Sequence, residues 1–236
     1  MSGSRAVLVP PTLAMRFAIR LTVVAILATA LFLVLQYPSL PWLLPVHFRS
    51  SGAPNGWQYR TFPRVLTPVF VQLALALTLG AIATLFLSRR HGAYDVNAPD
   101  VRAASTAAEA VAMICCIWVA FQGYAAIALV AMWSRGRAGL GDWYLYLQVL
   151  GFILTGIVAV RARASLGRPV PRPFVQDHWR YKHFYRNPDD PALFVPTRDG
   201  YHWTLNFGRP VIVSLLGAVL LMGIVAPTVV LGLALR

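Results

Sequence analysis

The stretch between residues 37 and 64 brings together residue types that can bind a ligand or move a proton. One residue separates His47 from Arg49, and Asn55 follows after a short gap. An imidazole acts as a general base when a carboxylate orients it, but this stretch holds neither Asp nor Glu. We therefore predict recognition rather than hydrolysis, and no catalytic residue. Further candidate binding residues here are Phe48, Pro54 and Trp57.

A second group of polar residues lies between residues 161 and 210. It contains three histidines and an aspartate pair, side chains that can hold zinc. Their spacing matches no standard metal signature, so we favour turn-capping acids and interfacial histidines, and we predict neither a metal nor a cofactor. These residues are His178, His183, His202, Asp189 and Asp190. The candidate partner-binding residues are Asn187, Asp189, Asp190, Trp203 and Asn206.

Glu109 is the one glutamate of the chain, and it lies near the start of an apolar run. Ser105 and Thr106 precede it, an arrangement that resembles a capping box with a carboxylate near the positive end of a helix dipole. The alternative is a proton or ion relay, because ionisable residues within membrane spans are costly. Glu109 is therefore a candidate membrane carboxylate.

The composition indicates whether these residues belong to a water-soluble protein or to a membrane protein. Of the 236 residues, 58% are hydrophobic and 12% are charged, whereas soluble domains average about 25% charged residues. Such a chain has too few polar residues to cover a surface that faces water, whereas a surface that faces lipid does not need them. We therefore predict an integral membrane protein.

Five apolar runs reach the roughly 20 residues that a helix needs to cross a bilayer. They are about Phe17–Gln36, Val65–Leu87, Ala107–Met132, Trp143–Val160 and Val211–Leu235. The predicted fold is all-α, a bundle of about five transmembrane helices with a small β-hairpin in a cytoplasmic loop. The predicted segments are 1–64, the first span and an outer loop; 65–160, spans two to four; 161–210, a basic inner loop; and 211–236, the fifth span.

The distribution of positive charge predicts the orientation. With the N-terminus inside, the outer segments hold six of the 21 Lys and Arg residues and the inner segments hold the other fifteen. The formal charge of +13 then needs no nucleic acid, because anionic lipid headgroups supply the counter-charge. We expect a multi-pass protein of the cell (cytoplasmic) membrane with its N-terminus inside and its C-terminus outside.

The outer loop and the inner loop both contain short sequence patterns that predict local structure. In the outer loop, Pro54-Asn55-Gly56 is typical of a tight turn, and the aromatic residues suit the headgroup level, which is the alternative to a binding role. In the inner loop, Leu193 and Val195 alternate with other residues before Asp199-Gly200, and a similar alternation follows at Trp203, Leu205 and Phe207. Period-two spacing on both sides of a turn predicts the β-hairpin.

The outer loop contains Leu-Pro at 40–41, Pro-x-His-Phe at 45–48 and Gly-x-Pro-Asn-Gly at 52–56. This pattern resembles the N-terminal domain of the SdpI-type immunity and signalling membrane proteins, with Asn55 where that family usually has Asp. The inner run Asn187-Pro-Asp-Asp-Pro, with Phe-Val-Pro and Trp-Thr-Leu-Asn-Phe-Gly after it, resembles a second short bacterial domain of unknown function. The resemblance implies a group that includes toxin-immunity and signal-relaying proteins.

Three functional classes follow. We favour a non-enzymatic protein that binds a peptide or envelope signal outside and a soluble regulatory protein inside. A small transporter or transporter accessory subunit that uses Glu109 is the alternative. A membrane enzyme is disfavoured, because no nucleophile or acid–base pair occurs at useful spacing. Small residues in the spans permit close helix contacts, which would also allow the chain to form a homo-oligomer.

Overall fold

A computed structural model of the chain describes residues 6–49, 53–90, 99–135, 139–167, 169, 172–181, 183–214 and 216–217. Among these residues, the named helices in chain order are α1 Leu13–Gln36, α2 Phe62–Val65, α3 Thr67–Leu87, α4 Pro99–Arg135 and α5 Asp142–Ser165. The strands are β1 Ala6–Leu8, β2 Leu43–Phe48, β3 Pro54–Tyr59, β4 Ser88–Arg90, β5 Trp179–Arg180, β6 Phe184–Tyr185, β7 Phe194–Pro196 and β8 Trp203–Leu205.

Four helices of the described part, α1, α3, α4 and α5, are long and apolar enough to cross a membrane. They correspond to the first four predicted spans, although the second, predicted from Val65, begins at Thr67 in α3. Helix α4 begins at Pro99, well before the predicted start at Ala107, because Pro99 and Asp100 suit a first helical turn. The fifth predicted span, Val211–Leu235, lies largely outside the described residues, which show helix at 210–214.

The exposed side chains of these helices indicate whether the helices face water or lipid. Within α5, large apolar side chains such as Phe152 and Ile157 are more than half exposed, and Gly151 is buried. In water, so much exposed apolar surface would be unfavourable on every helix that carries it. The mostly helical fold with four such helices is therefore consistent with a membrane protein.

The chain divides into two compact units, which are described separately. One combines residues 1–12, 81–111 and 161–236, and the other combines residues 13–80 and 112–160. The second unit has an apolar core in which buried residues of α1, α3 and α4 meet the base of the β2–β3 hairpin. The core residues are Leu33, Leu40, Leu44, Val65, Val69, Ala126, Val130, Met132 and Trp133.

Strands β2 and β3 pair antiparallel and form what we call the N-terminal hairpin, residues 43–59. The turn predicted at Pro54-Asn55-Gly56 is wrong, because these residues lie in β3. The strand register is irregular on both sides of His47, which pairs with Gly56. A Cβ on Gly56 would come within 2.9 Å of the Cβ of His47, so the glycine permits close approach of the strands rather than a turn.

Residues 172–212 form what we call the C-terminal segment, which belongs to the first unit. Strand β7 pairs antiparallel with β8, which confirms the small hairpin predicted around Asp199-Gly200. Leu193 and Val195 are fully buried, as their alternation predicts. A second short antiparallel pair, β5 with β6, was not predicted, because two-residue strands leave no periodicity to detect. The ring of Phe194 lies 5.7 Å from that of Phe86 on α3.

Candidate functional site

The side chain of Asn206 organises the C-terminal segment from inside. It is fully buried, and its amide nitrogen donates to the carbonyl oxygens of Asn187 at 2.8 Å and of Asp190 and Ala192 at 3.2 Å each. Its amide oxygen accepts from the main-chain nitrogens of Asn187 and Gly208, both at 3.0 Å. One side chain therefore satisfies main-chain groups from both sides of the segment, which would otherwise be buried without partners.

Asp190 forms the polar centre beside this network. One of its carboxylate oxygens accepts from Arg172 at 2.9 Å and from the Tyr185 hydroxyl at 3.0 Å, and the other accepts from the main-chain nitrogen of Ala192. Burial raises the pKa of the Tyr185 hydroxyl above its ordinary value, so the hydroxyl remains a proton donor at neutral pH. The Arg172 side chain is 49% exposed against 11% for Asp190. The pair therefore holds a guanidinium in place at the surface.

Asn187 and Asp189 serve the turn that the Asn-Pro-Asp-Asp-Pro run predicts. The side-chain oxygen of Asn187 accepts from the main-chain nitrogen of Asp189 at 3.0 Å, a local bond typical of Asn in turns. The amide nitrogen of Asn187 lies 3.4 Å from Nε2 of His178. Asp189 itself is exposed at the surface of this turn. Of the predicted partner-binding residues, Asn187 and Asn206 stabilise the fold of the C-terminal segment. Asp190 positions the guanidinium of Arg172.

Arg172 lines a small cleft together with Trp203, Pro196, Pro99 and Asp100. The cleft has a volume of about 220 Å³. Its walls combine a cation, a carboxylate, an indole and two proline rings, and Nε1 of Trp203 donates to the carbonyl oxygen of Gly167 at 3.2 Å. Such a mixture suits a peptide segment, because apolar walls and fixed charges recognise side chains and main chain together.

The tip of the β7–β8 hairpin, residues 197–202, connects the cleft residues Pro196 and Trp203 and is held by hydrogen bonds of its own side chains. Asp199 accepts from the Thr197 hydroxyl at 2.5 Å and from the main-chain nitrogen of Tyr201 at 3.0 Å. The hydrogen bond from Thr197 lowers the pKa of the Asp199 carboxyl below its usual value. Tyr201 is 69% exposed at this tip. The tip therefore presents an aromatic ring on a fixed turn.

The N-terminal hairpin brings together the residues predicted to bind outside. Nδ1 of His47 lies 2.5 Å from Oδ1 of Asn55 across the two strands, and both side chains are exposed. Trp57 on β3 is also exposed, whereas Phe48 is half-buried beside the core. Pro54 begins β3 and pairs with Phe48, while the exposed Arg49 continues the pairing through a main-chain bond to Ala53. The hairpin therefore offers a hydrogen-bonded polar pair flanked by an exposed aromatic ring.

Arg60 is one of 21 Lys and Arg residues, and its spacing in the sequence does not distinguish it from the others. Its Nη1 donates to three carbonyl oxygens at the end of α1, those of Tyr37 at 2.8 Å, Pro38 at 3.1 Å and Leu40 at 2.5 Å. The guanidinium carbon also lies 4.7 Å from the centre of the Tyr37 ring. A cation at the C-terminal end of a helix is favoured by the helix dipole, and the ring contact adds to this. Arg60 therefore fixes the hairpin to the end of α1.

We expect Arg60→Lys to lower the free energy of unfolding by about 2 kcal/mol. An ammonium group cannot reproduce a planar guanidinium that reaches several carbonyls and stacks on a ring. Titration from mild detergent into sodium dodecyl sulfate measures this change. Arg135→Lys is the matched control, since Arg135 is exposed at the end of α4. Equal stabilities of the two variants would contradict the conclusion that Arg60 fixes the N-terminal hairpin to the end of α1.

Gln72 and Glu109 are polar side chains that lie within apolar helices. Gln72 of α3 is fully buried, and its amide nitrogen donates to Oγ1 of Thr29 at 3.0 Å and to the carbonyl oxygen of Val119 at 2.9 Å. These bonds tie three helices together, a common role for amides in membrane bundles. Glu109 does not cap its helix as the sequence suggested, because α4 begins at Pro99. Its carboxylate instead accepts from the Thr12 hydroxyl at 2.5 Å.

Within the part of the chain that the structure describes, no group of three or more His, Cys, Asp or Glu residues is placed to hold a metal ion. His178 contacts the Asn187 amide, and the Asp190 carboxylate accepts from the main-chain nitrogen of Ala192, which is the turn-capping role expected for the aspartate pair. Asp189 takes part in the turn through its main-chain nitrogen.

Two parts of the chain match family models. Residues 24–73 match a domain of unknown function, DUF1648, which is a membrane-associated family, and residues 188–213 match a family of unknown function, DUF5808. No curated protein and no solved structure matches the chain. The first match covers the N-terminal hairpin, α2, the second half of α1 and the start of α3. The second covers most of the Asn206 network and the β7–β8 hairpin.

Proposed function

We propose that the chain is a non-enzymatic membrane protein of the SdpI-like type, which binds a peptide or envelope signal outside the cell and a soluble regulatory protein inside. The observation that carries the proposal is a coincidence of two kinds of evidence. Each family-model match includes a compact non-helical structure, the N-terminal hairpin in one case and the later part of the C-terminal segment in the other. Structures of this kind between apolar helices suit recognition better than membrane packing.

The proposed outer surface is the exposed side of the N-terminal hairpin. Trp42, Trp57 and Tyr59 are each more than half exposed, and they accompany the His47–Asn55 pair. Rigid aromatic rings around a small polar centre supply contact area at low entropic cost, as in many binding surfaces. The same rings would also sit well at the headgroup level, so a ligand must be distinguished from lipid by experiment.

The proposed inner surface is the cleft of Arg172, Asp100 and Trp203 together with the exposed Tyr201. Three spanning helices, α3, α4 and α5, separate it in sequence from the hairpin, and an odd number of crossings leads to opposite sides of a membrane. The excess of Lys and Arg in the flanking segments supports the cytoplasmic side for the C-terminal segment and the N-terminus. A soluble regulator is therefore the partner that this cleft would meet.

Site-specific photo-crosslinking in native membranes tests the proposal. A photoreactive residue at Trp57 is expected to capture a peptide from the outer side, and one at Tyr201 a soluble regulator. His47→Ala should abolish the first capture alone, and Trp203→Ala the second alone. Photoreactive residues at Phe152 and Ile157, on the apolar surface of α5, provide matched controls. Capture of lipid alone at Trp57 and of nothing at Tyr201 would contradict the proposal.

A small transporter or accessory subunit is the second candidate, and Glu109 is the observation that favours it. Its half-buried carboxylate, bonded to Thr12, lies inside an apolar helix where a charge is costly. Glu109→Gln keeps the shape of the side chain but removes the charge. Loss of a proton or solute flux in reconstituted vesicles, with unchanged membrane insertion and unchanged crosslinks, would favour transport over signal binding.

A further inference from the structure

The second unit contains an apolar groove between α1, α4 and α5 with a volume of about 590 Å³. Its lining is apolar along almost its whole length and includes Phe17, Leu21, Ala120, Phe121, Leu150 and Gly151. The groove is open along one side rather than enclosed, so in a membrane its apolar walls would meet lipid tails.

Small residues keep the groove open. Ala120 of α4 is exposed to it, and a Cβ on Gly151 of α5 would reach only ordinary contact with Trp118, at 3.6 Å. Trp118 itself is fixed, because its Nε1 donates to Oγ1 of Thr155 at 3.1 Å and its ring meets Phe152 edge-on at a centroid distance of 4.9 Å. Small residues beside a fixed indole leave an elongated space that the helices themselves do not fill.

A cation borders the groove on α1. Phe17 and Leu21 line it, and the helical repeat places Arg20 about 60° round the helix from Phe17, on the adjacent flank. Arg20 is exposed and lies in the second turn of α1, from which a long side chain can extend along the helix to the membrane surface. The groove thus combines an apolar channel with a guanidinium at its edge.

We propose that this groove binds one acyl chain of an anionic phospholipid whose phosphate is held by Arg20. Water does not fill an apolar groove, because it would find no polar partners there. Each methylene that enters gains contacts that a loosely packed bilayer does not supply. The Arg20 guanidinium selects a headgroup with net negative charge over a zwitterionic one, since a guanidinium pairs well with phosphate oxygens. The site is independent of the signal-binding role proposed above.

Native mass spectrometry of the full chain in mild detergent, with phosphatidylglycerol or phosphatidylcholine added, tests this proposal. The unchanged protein is expected to retain one phosphatidylglycerol. Ala120→Phe, which fills the groove, should weaken that binding by about tenfold, comparable to the loss of roughly two buried methylenes. Ala28→Phe is the matched control, since Ala28 is exposed on α1 but does not line the groove. Leu154→Trp fills the groove from α5 if Ala120→Phe fails to fold.

The headgroup is tested separately. Arg20→Gln should remove the preference for phosphatidylglycerol over phosphatidylcholine while lipid is still retained, and Arg135→Gln should leave the preference unchanged. Equal lipid retention by Ala120→Phe and Ala28→Phe would overturn the proposal. So would loss of a dimer peak in Ala120→Phe, which would assign the groove to a second copy. A disulfide between Cys116, which lines the groove, and a cysteine in Gly223→Cys would assign it to the chain's own last segment.

Discussion

Gly208→Ala is expected to unfold the C-terminal segment while α1, α3, α4 and α5 remain helical. A Cβ at this position would lie 2.5 Å from the carbonyl carbon of Asn187 and 2.7 Å from the nitrogens of Asn187 and Pro188. These are main-chain atoms held by Asn206, so they cannot turn aside as a flexible side chain would. Forced overpacking of this kind costs about 3 kcal/mol, which is a large part of the stability of a small domain.

Hydrogen exchange of the amides between residues 184 and 208 measures the effect of Gly208→Ala. Gly156→Ala in α5 is the control, because a Cβ there would meet no atom within 4 Å. That control is expected to be neutral or more stable by up to about 1 kcal/mol, since alanine favours helix over glycine. Protection in Gly208→Ala equal to that of the unchanged protein would show that the close approach to Asn187 is not required.

Asn206→Ala is expected to have an effect of similar size for a different reason. The substitution leaves the carbonyl oxygens of Asn187, Asp190 and Ala192 and the main-chain nitrogens of Asn187 and Gly208 without their partner. Buried groups left without partners make this loss about 3 kcal/mol, even if water reaches some of them. Asn206→Asp should be at least as harmful, because a carboxylate has no N–H to donate to three carbonyl oxygens.

Limited proteolysis of the detergent-solubilised protein compares these variants. Cleavage between residues 172 and 212 should become much faster in Asn206→Ala and Asn206→Asp. Asn55→Ala is the control, since Asn55 is exposed and bonds to His47. We expect its stability to stay within about 0.5 kcal/mol of the unchanged protein. Rapid cleavage of Asn55→Ala at the same sites, or slow cleavage of both Asn206 variants, would contradict the role of the network.

The elements that could be predicted are those whose signals are local. Apolar length alone located α1, α3, α4 and α5, and period-two spacing located the β7–β8 hairpin. The roles of Asn206 and Arg60 could not be predicted, because their partners are main-chain carbonyls whose positions depend on the folded chain. A buried Asn and a Lys or Arg in a loop have no spacing that distinguishes them from ordinary surface residues.

Two local signals failed, one because of a longer-range contact and the other because an earlier helix start prevailed. Asn-Gly at 55–56 usually marks a turn, but here the glycine lets β3 approach His47 on β2. The Ser105, Thr106 and Glu109 arrangement resembles a helix start, but helix formation continues back to Pro99 and leaves Glu109 beside Thr12. Pairing with a distant strand overrides a turn preference worth only about 1 kcal/mol, and Pro99 with Asp100 supplies the helix start that replaces the one at Ser105.

The central claim is that two recognition structures face opposite sides of a membrane, and cysteine accessibility in intact cells tests it most directly. A membrane-impermeant maleimide is applied to Ala53→Cys in the N-terminal hairpin and to Tyr201→Cys at the tip of β7–β8, both exposed positions. We predict that Ala53→Cys reacts in intact cells and Tyr201→Cys only after permeabilisation. Reaction of both positions from the same side would contradict the account.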